Sequence, residues 1–205
     1  MQKKILALVL ARKGSQRLKN KNILILKGKP LIEWTFKKIN KKNIRKLFTD
    51  VLVSTDSKKI LKLSKKYRFL CPWLRPKIYS SKYATSASAA LHALKWYEEK
   101  IQKVDGVFLF QPTSPYRVDN KIILAVKKFL KFNKQIVSVS SRKTHKFHKN
   151  SINGSIYLSP IDILKKFKNF SKKGFIKLKM FSKLENIDID NNKDYNLAIK
   201  LFNNF

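Results

Sequence analysis

Short apolar blocks alternate along the chain with longer stretches in which lysines and apolar residues recur at helical spacing. The blocks Ile5–Ala11, Val51–Asp56, Phe69–Leu74, Val104–Phe110, Gln135–Ser140 and Asn153–Leu158 predict short, largely buried strands. Ile176–Met180 adds another, with the period-two alternation of a strand wet on one side. Between them, Pro30 opens a helix to Asn40 with Leu31, Trp34, Thr35 and Ile39 on its buried side. Ser57–Tyr67 reads as a helix with Asp56 at its N-cap, and Asn120–Phe132 as one capped by Asp119. The polar stretch Lys77–Ser88 passes into a helix that runs to about Lys100, and Asp194–Phe202 closes the chain as a last helix.

Strands separated by helices of this length imply right-handed βαβ units. The expected class is therefore α/β, a three-layer Rossmann-like arrangement around a mostly parallel sheet. No repeat, linker or low-complexity tail divides residues 1–205, so one domain is expected.

The first strand empties into Ala11-Arg-Lys-Gly-Ser-Gln-Arg-Leu-Lys-Asn-Lys-Asn22, with Gly14, Ser15, two arginines and three lysines. Open α/β sheets place ligands at the carboxyl ends of their strands. Gly14 allows a tight turn, and backbone N–H groups beside cationic side chains can hold phosphate. Neither G-x-x-x-x-G-K-S/T nor G-x-G-x-x-G is present. Taken alone, the loop also fits a basic surface segment.

Composition narrows the classes. With 43% hydrophobic and 12% aromatic residues the chain can bury a core rather than stay disordered. The formal charge of +35 would ordinarily suggest nucleic acid. Its lysines are dispersed over nearly every segment, alongside abundant Asn and Ile, so compositional bias outweighs nucleic-acid binding. The same charge suits attraction of an anionic substrate to a cleft. Cys71 is the sole cysteine, which excludes a disulfide within one chain and fits a reducing, cytoplasmic compartment. The amino-terminal apolar run passes straight into Arg12 and Lys13, as a strand does rather than a signal peptide, and no run is long enough to span a membrane.

Several stretches, in order, resemble the acylneuraminate cytidylyltransferases, enzymes that make CMP-activated nine-carbon acidic sugars. They are Ala11-Arg-x-Gly-Ser-x-Arg…Lys21-Asn22, Gly28-Lys-Pro-Leu31, Val53-Ser-Thr-Asp56, Leu74-Arg-Pro76, Gln111-Pro-Thr-Ser-Pro115, Asn153-Gly-Ser-Ile-Tyr157 and Ile187-Asp-Ile-Asp190. The resemblance implies a nucleotidyltransferase fold and transfer of CMP from CTP to the anomeric hydroxyl of an acidic sugar, with release of pyrophosphate. It implies substrate contacts from Arg12, Ser15, Arg17, Lys21, Asn22, Arg75, Ser86, Gln111, Thr113 and Asn153. Arg12, Lys21 and Asp190 are expected to carry the chemistry, through bidentate and point-charge contacts to phosphate and through metal binding.

Asp188 and Asp190 alternate along an extended segment and so point to one side. Two carboxylates so placed need a cation or a donor between them. Oxygen ligands suit Mg²⁺. The same pair, ahead of Asn191-Asn192, also fits a helix-capping loop; the resemblance favours a metal pair. None of the three histidines, His92, His145 and His148, has a matched partner that would make it a general base. His92 reads as helix packing, while His145, Lys146 or Lys149 could meet a sugar carboxylate.

The chain departs from the family at Gln16, where lysine is common, at Lys19, where proline is common, and at Lys82, where aspartate is usual. Family members also carry a longer insertion between Ser140 and Asn153, with a dimerisation arm and an arginine for the sugar acid; here only residues 141–151 fill the space. The expectation is a monomer, or a homodimer built through another surface. The alternatives are the cytidylyltransferase for the eight-carbon 3-deoxy-manno-octulosonate, whose opening loop shares Ser15-x-Arg17-Leu18, and a non-catalytic basic nucleic-acid-binding member of the fold.

Overall fold

The computed structural model describes residues 3–15 and 17–203. Strand β1 (Ile5–Ala11) leads through the opening loop to a small hairpin, β2 (Ile25–Leu26) and β3 (Lys29–Pro30). Helices α1 (Leu31–Asn40) and α2 (Lys42–Arg45) return the chain to β4 (Asp50–Thr55). Next come α3 (Lys58–Lys66), the single turn α4 (Lys77–Ser80), α5 (Ser86–Lys100) and β5 (Gly106–Phe110). The remaining elements are α6 (Asp119–Phe132), β6 (Ile136–Ser140), β7 (Ile152–Pro160), α7 (Ile161–Phe167), β8 (Ile176–Met180) and α8 (Asn192–Asn203).

The main sheet has the order β4-β1-β5-β7-β6-β8. All its pairings are parallel except those of β7, which runs antiparallel between β5 and β6. This is the mostly parallel α/β architecture that the alternation of strands and helices predicts. From β1 the chain goes first to β4 on one side and later to β5 on the other, so the sheet reverses its winding at β1. The loops after β1 and β5 therefore part there and leave a crevice at their carboxyl ends.

Burial on both faces explains why β1 is apolar at successive positions. Ile5, Ala7, Val9 and Ala11 pack with α1, α3 and α6, whereas Leu6 and Leu8 pack with α5 and α7. A third, smaller cluster joins Leu18 and Leu26 of the opening segment to Ile187, Ile189, Ala198 and Phe202. It seats the beginning of the chain against its end.

Three local expectations need correction. Phe69–Leu74 makes only isolated bridges beside β4, Leu52 with Leu70 and Thr55 with Leu74; Pro72 has no N–H to continue the ladder. Ser57, not Asp56, caps α3, because Asp56 is engaged by the backbone N–H of Lys13 at 2.6 Å. Asp119 lies inside the first turn of α6 and makes no cap bond; it is held instead by Lys38 and Lys41.

Gly106 starts β5 directly under α6. A Cβ at this position would lie 2.5 Å from Cζ of Phe129, whose ring is fully buried. Gly106→Ala should therefore cost about 1–3 kcal/mol by overpacking, read as a lower midpoint in a denaturant titration. An unchanged midpoint would mean that α6 lifts from the sheet without cost.

Candidate active site

The crevice between the β1 and β5 loops is a cavity of about 350 Å³. Its lining is basic and polar at Arg12, Asn22 and Arg75, and acidic at Asp188 and Asp190, with Lys21 at the junction of the two. Gln111, Pro112 and Thr113 form the β5 side. Ala84, Thr85 and Ser86, at the start of α5, complete it. Thr85 caps α5 by accepting a hydrogen bond from the Ser88 N–H at 3.0 Å.

The two arginines of the lining are held by backbone acceptors rather than by carboxylates. Arg12 Nη1 donates to the Ser81 carbonyl at 2.7 Å, and Asn22 Nδ2 donates to the Arg12 carbonyl at 2.9 Å. Arg75 donates from Nη2 to the Ser54 carbonyl at 2.7 Å, while its buried Nε has no protein partner. Desolvation lowers the Arg75 pKa to about 10, opposed by nearby Asp56 and reinforced by Arg12. It remains a cation at neutral pH. Thr55 Oγ1 donates to the Ala11 carbonyl at 2.5 Å and, with the Asp56–Lys13 bond, fixes where the opening loop leaves the sheet.

The acidic wall has its own frame. The Ile189 N–H donates to the Thr113 carbonyl at 2.8 Å and its side chain is fully buried, so Asp188 and Asp190 turn the other way, toward the cavity. Lys21 reaches Asp190 Oδ1 at 2.9 Å. Lys146 reaches Asp190 Oδ2 at 2.8 Å, Asp188 Oδ2 at 3.2 Å and Asp194 Oδ2 at 3.2 Å. Burial opposes the charge of Asp190, yet the bonds from Lys146 and Lys21 hold its pKa down at about 2. Asp190 does not cap α8. Asn191 does, accepting from the Asp194 N–H at 3.0 Å, while Asp194 accepts from the Asp190 N–H at 2.9 Å.

Beneath the cavity lies Arg117, fully buried and without a carboxylate in contact. Its guanidinium donates to the carbonyls of Gln111 at 2.6 Å, Ser114 at 2.5 Å and Ser155 at 2.7 Å. Desolvation lowers its pKa to about 9, and the field of Asp188 works against that fall. It ties the β5 loop to β7. At Gly154 the backbone has φ +78°, and a Cβ would stand 3.4 Å from Gln111 Oε1 and 3.6 Å from Asp188 Cγ. Glycine lets the β7 backbone pass close behind both residues.

A family model described as cytidylyltransferase matches residues 6–150. The CMP-N,N'-diacetyllegionaminic acid synthase of Legionella pneumophila is 32% identical over 97% of this chain and 96% of its own length. The chain belongs to the cytidylyltransferase family. The N-acylneuraminate cytidylyltransferase of Escherichia coli is 30% identical over 98% of this chain, which spans only 52% of that protein. A solved CMP:2-keto-3-deoxy-manno-octonic acid synthetase in complex with CTP superposes with a TM-score of 0.68 over 98% of this chain and 99% of that one, at 12% identity. That likeness shows the fold alone. A cytidylyltransferase from Leptospira borgpetersenii gives a TM-score of 0.70 at 17% identity, over 100% of this chain and 88% of that one.

Of the site residues expected from the family, the cavity brings together Arg12, Lys21, Asn22, Arg75, Ser86, Gln111, Thr113, Asp188 and Asp190. Ser15 and Arg17 do not line it, and Gln16 lies outside the described residues. Asn153 is corrected from a contact to a support. It is fully buried, accepting from Ser138 Oγ at 2.6 Å and donating to Asn186 Oδ1 at 2.8 Å. No histidine lines the cavity; His92 packs against Trp73 and Tyr79, with ring centroids 5.5 and 4.3 Å away. Sequence reasoning missed Arg117 and Asp194. The arginine just beyond Gln111-Pro-Thr-Ser-Pro115 was a usable signal for the first; nothing local marked the second.

The low pKa of Asp190 has a consequence for acid stability. Its folded value near 2 lies below the ordinary aspartate value of about 3.9. The unfolded chain therefore binds the proton more readily, and stability rises with pH through that interval. The contribution is complete above about pH 4 and is lost as pH falls toward 2. Asp190→Asn should make the loss of stability between those pH values shallower, by about 2 kcal/mol at most. Urea titrations at several acidic pH values read this directly, and parallel curves would deny the ion pairs a part in stability.

Proposed function

We propose that this chain transfers the CMP unit of CTP to the anomeric hydroxyl of a nine-carbon, sialic-acid-type α-keto acid sugar and releases pyrophosphate. The observation that carries the reading is one cavity lined by Arg12, Lys21 and Arg75 together with Asp188 and Asp190. Its size and charge suit a nucleoside triphosphate. Relatives at 30–32% identity are named for legionaminic, N-acylneuraminic and pseudaminic acids. The eight-carbon alternative rests on a likeness of fold.

In the reaction the anomeric oxygen bonds to the α-phosphorus, the bond from that phosphorus to the bridging oxygen breaks, and the hydroxyl proton is given up. Arg12 and Lys21 neutralise charge that builds on the phosphates and on the departing pyrophosphate. Arg75, held by the Ser54 and Tyr79 carbonyls, adds a fixed cation to the cavity lining. Arg117 acts through others, fixing the backbone of Gln111 and that of β7 at Ser155.

Among the described residues no group of three or more His, Cys, Asp and Glu is arranged to hold a metal ion. Asp188 and Asp190, however, already share one cation, the Lys146 ammonium, and both border the cavity. That donor set fits Mg²⁺, which is commonly held by one or two carboxylates together with substrate phosphate oxygens. When bound, it would neutralise phosphate charge and favour loss of the hydroxyl proton. No helix among the described residues is long and apolar enough to cross a membrane. The buried free thiol of Cys71 supports a reducing, cytoplasmic setting.

Pyrophosphate release with CTP, Mg²⁺ and a panel of neuraminic, legionaminic and pseudaminic acids tests the reading. One acid should be turned over, with CTP preferred to ATP and GTP. Asp190→Asn should lower turnover by roughly 10²-fold or more at a retained fold. Arg12→Ala should weaken CTP binding by about 1.5–3 kcal/mol. No turnover with any of these acids, by a folded protein that binds CTP, would reject this substrate class.

A further inference from the structure

Lys146 makes a set of contacts that the transfer reaction does not require. Its ammonium lies 2.7 Å from the Asp188 carbonyl oxygen and within 3.2 Å of one carboxylate oxygen each of Asp188, Asp190 and Asp194. An ammonium has three protons, so four acceptors exhaust it. Lys21 takes the other oxygen of Asp190. Both oxygens of that carboxylate are therefore occupied by cations of the protein itself.

Resting on the reading of Asp188 and Asp190 as a divalent-cation pair, we infer that Lys146 is a resident counter-ion of that pair. It holds the carboxylates in register while the site is empty and is displaced when a divalent cation binds. A metal on Asp190 Oδ2 would sit beside the ammonium that already occupies this oxygen. Two cations cannot share one carboxylate oxygen in a half-buried pocket without strong repulsion.

The surroundings determine which lysine leaves. Lys21 lies on the cavity wall, where its charge also serves the phosphates. Lys146 does not line the cavity and belongs to the short loop between β6 and β7. Its backbone is fixed by the Thr144 hydroxyl: Thr144 Oγ1 accepts from the Lys146 N–H at 3.3 Å and from the Phe147 N–H at 2.9 Å. The turn can persist while the side chain swings out. Asp194 does not follow a departing Lys146, because its Oδ2 also accepts from the Asp190 N–H and its residue is locked into the start of α8. Displacement thus frees Asp190 Oδ2 and Asp188 Oδ2 together and leaves their backbone in place. The same exchange couples cation binding to the loop that fills the space between Ser140 and Asn153.

The test uses Mn²⁺ as the probe and needs no turnover. Free Mn²⁺ is measured by electron paramagnetic resonance during titration of the nucleotide-free protein. Lys146→Gln should bind Mn²⁺ at least tenfold more tightly than the wild type, whereas Lys146→Arg, which keeps the charge, should not gain. Without metal, Lys146→Gln should melt at a lower temperature than the wild type, and Mn²⁺ should raise that temperature more in the variant than in the wild type. Asp190→Asn reports on the underlying site. If the wild type binds Mn²⁺, Asp190→Asn loses it and Lys146→Gln binds no tighter, the counter-ion role is overturned while the metal pair stands. If Asp190→Asn binds as well as the wild type, or no variant binds, both are overturned. Should Lys146→Gln fail to fold, an Mn²⁺ affinity of Lys146→Arg tighter than that of the wild type would overturn the proposal, and an equal or weaker one would sustain it.

Discussion

Asp190 joins parts of the chain that lie far apart in sequence. Its partner Lys21 is 169 positions away, and its partner Lys146 is 44 positions away. The opening loop, the loop between β6 and β7 and the start of α8 meet at this one carboxylate. Ion pairs of this kind stabilise little when wet. Here they are half-buried and backed by the apolar cluster of Leu18, Leu26, Ile187 and Ile189. The cluster brings the segments together without direction, and the ion pairs fix how they meet. The cavity then forms between them as a consequence.

The parallel sheet supplies the other constraint. Because the winding reverses at β1, the loops after β1 and β5 diverge, and no helix fills the gap between them. A gap of this kind would be soft if its rims were free loops. Arg117 stiffens one rim by donating to three carbonyls, those of Gln111, Ser114 and Ser155, and Asp56 and Thr55 stiffen the other. An arginine without a contacting carboxylate is costly to bury. The carbonyl dipoles and the field of Asp188 offset that cost.

Charge acts at two ranges. The formal charge of +35 gives the molecule a positive field that draws anions from solution. Selection among anions requires fixed donors. Within the cavity these are the few cations whose side chains are held by backbone acceptors, Arg12 and Arg75 above all. Most of the lysines contribute only to the field.

Much of this protein was legible in the sequence. Apolar blocks at the right spacing determined the strands, helical periodicity determined the helices, and their alternation determined an α/β sheet, because side-chain period is a local property of the backbone. Ile187-Asp-Ile-Asp190 determined that two carboxylates face one way, since a strand alternates sides. What faces them was decided only in three dimensions. Lys146, Asp194 and Arg117 reach the site through long-range packing, and no local pattern in a chain with 47 basic residues distinguishes a lysine that is half-buried among three carboxylates. Caps moved for the same reason: Asp56 and Asp119 had the chemistry to cap helices, but tertiary donors, the Lys13 N–H and the Lys38 ammonium, reached them first. Asn153 likewise kept its motif and lost its expected contact, because the third dimension placed it under the cavity rather than in it.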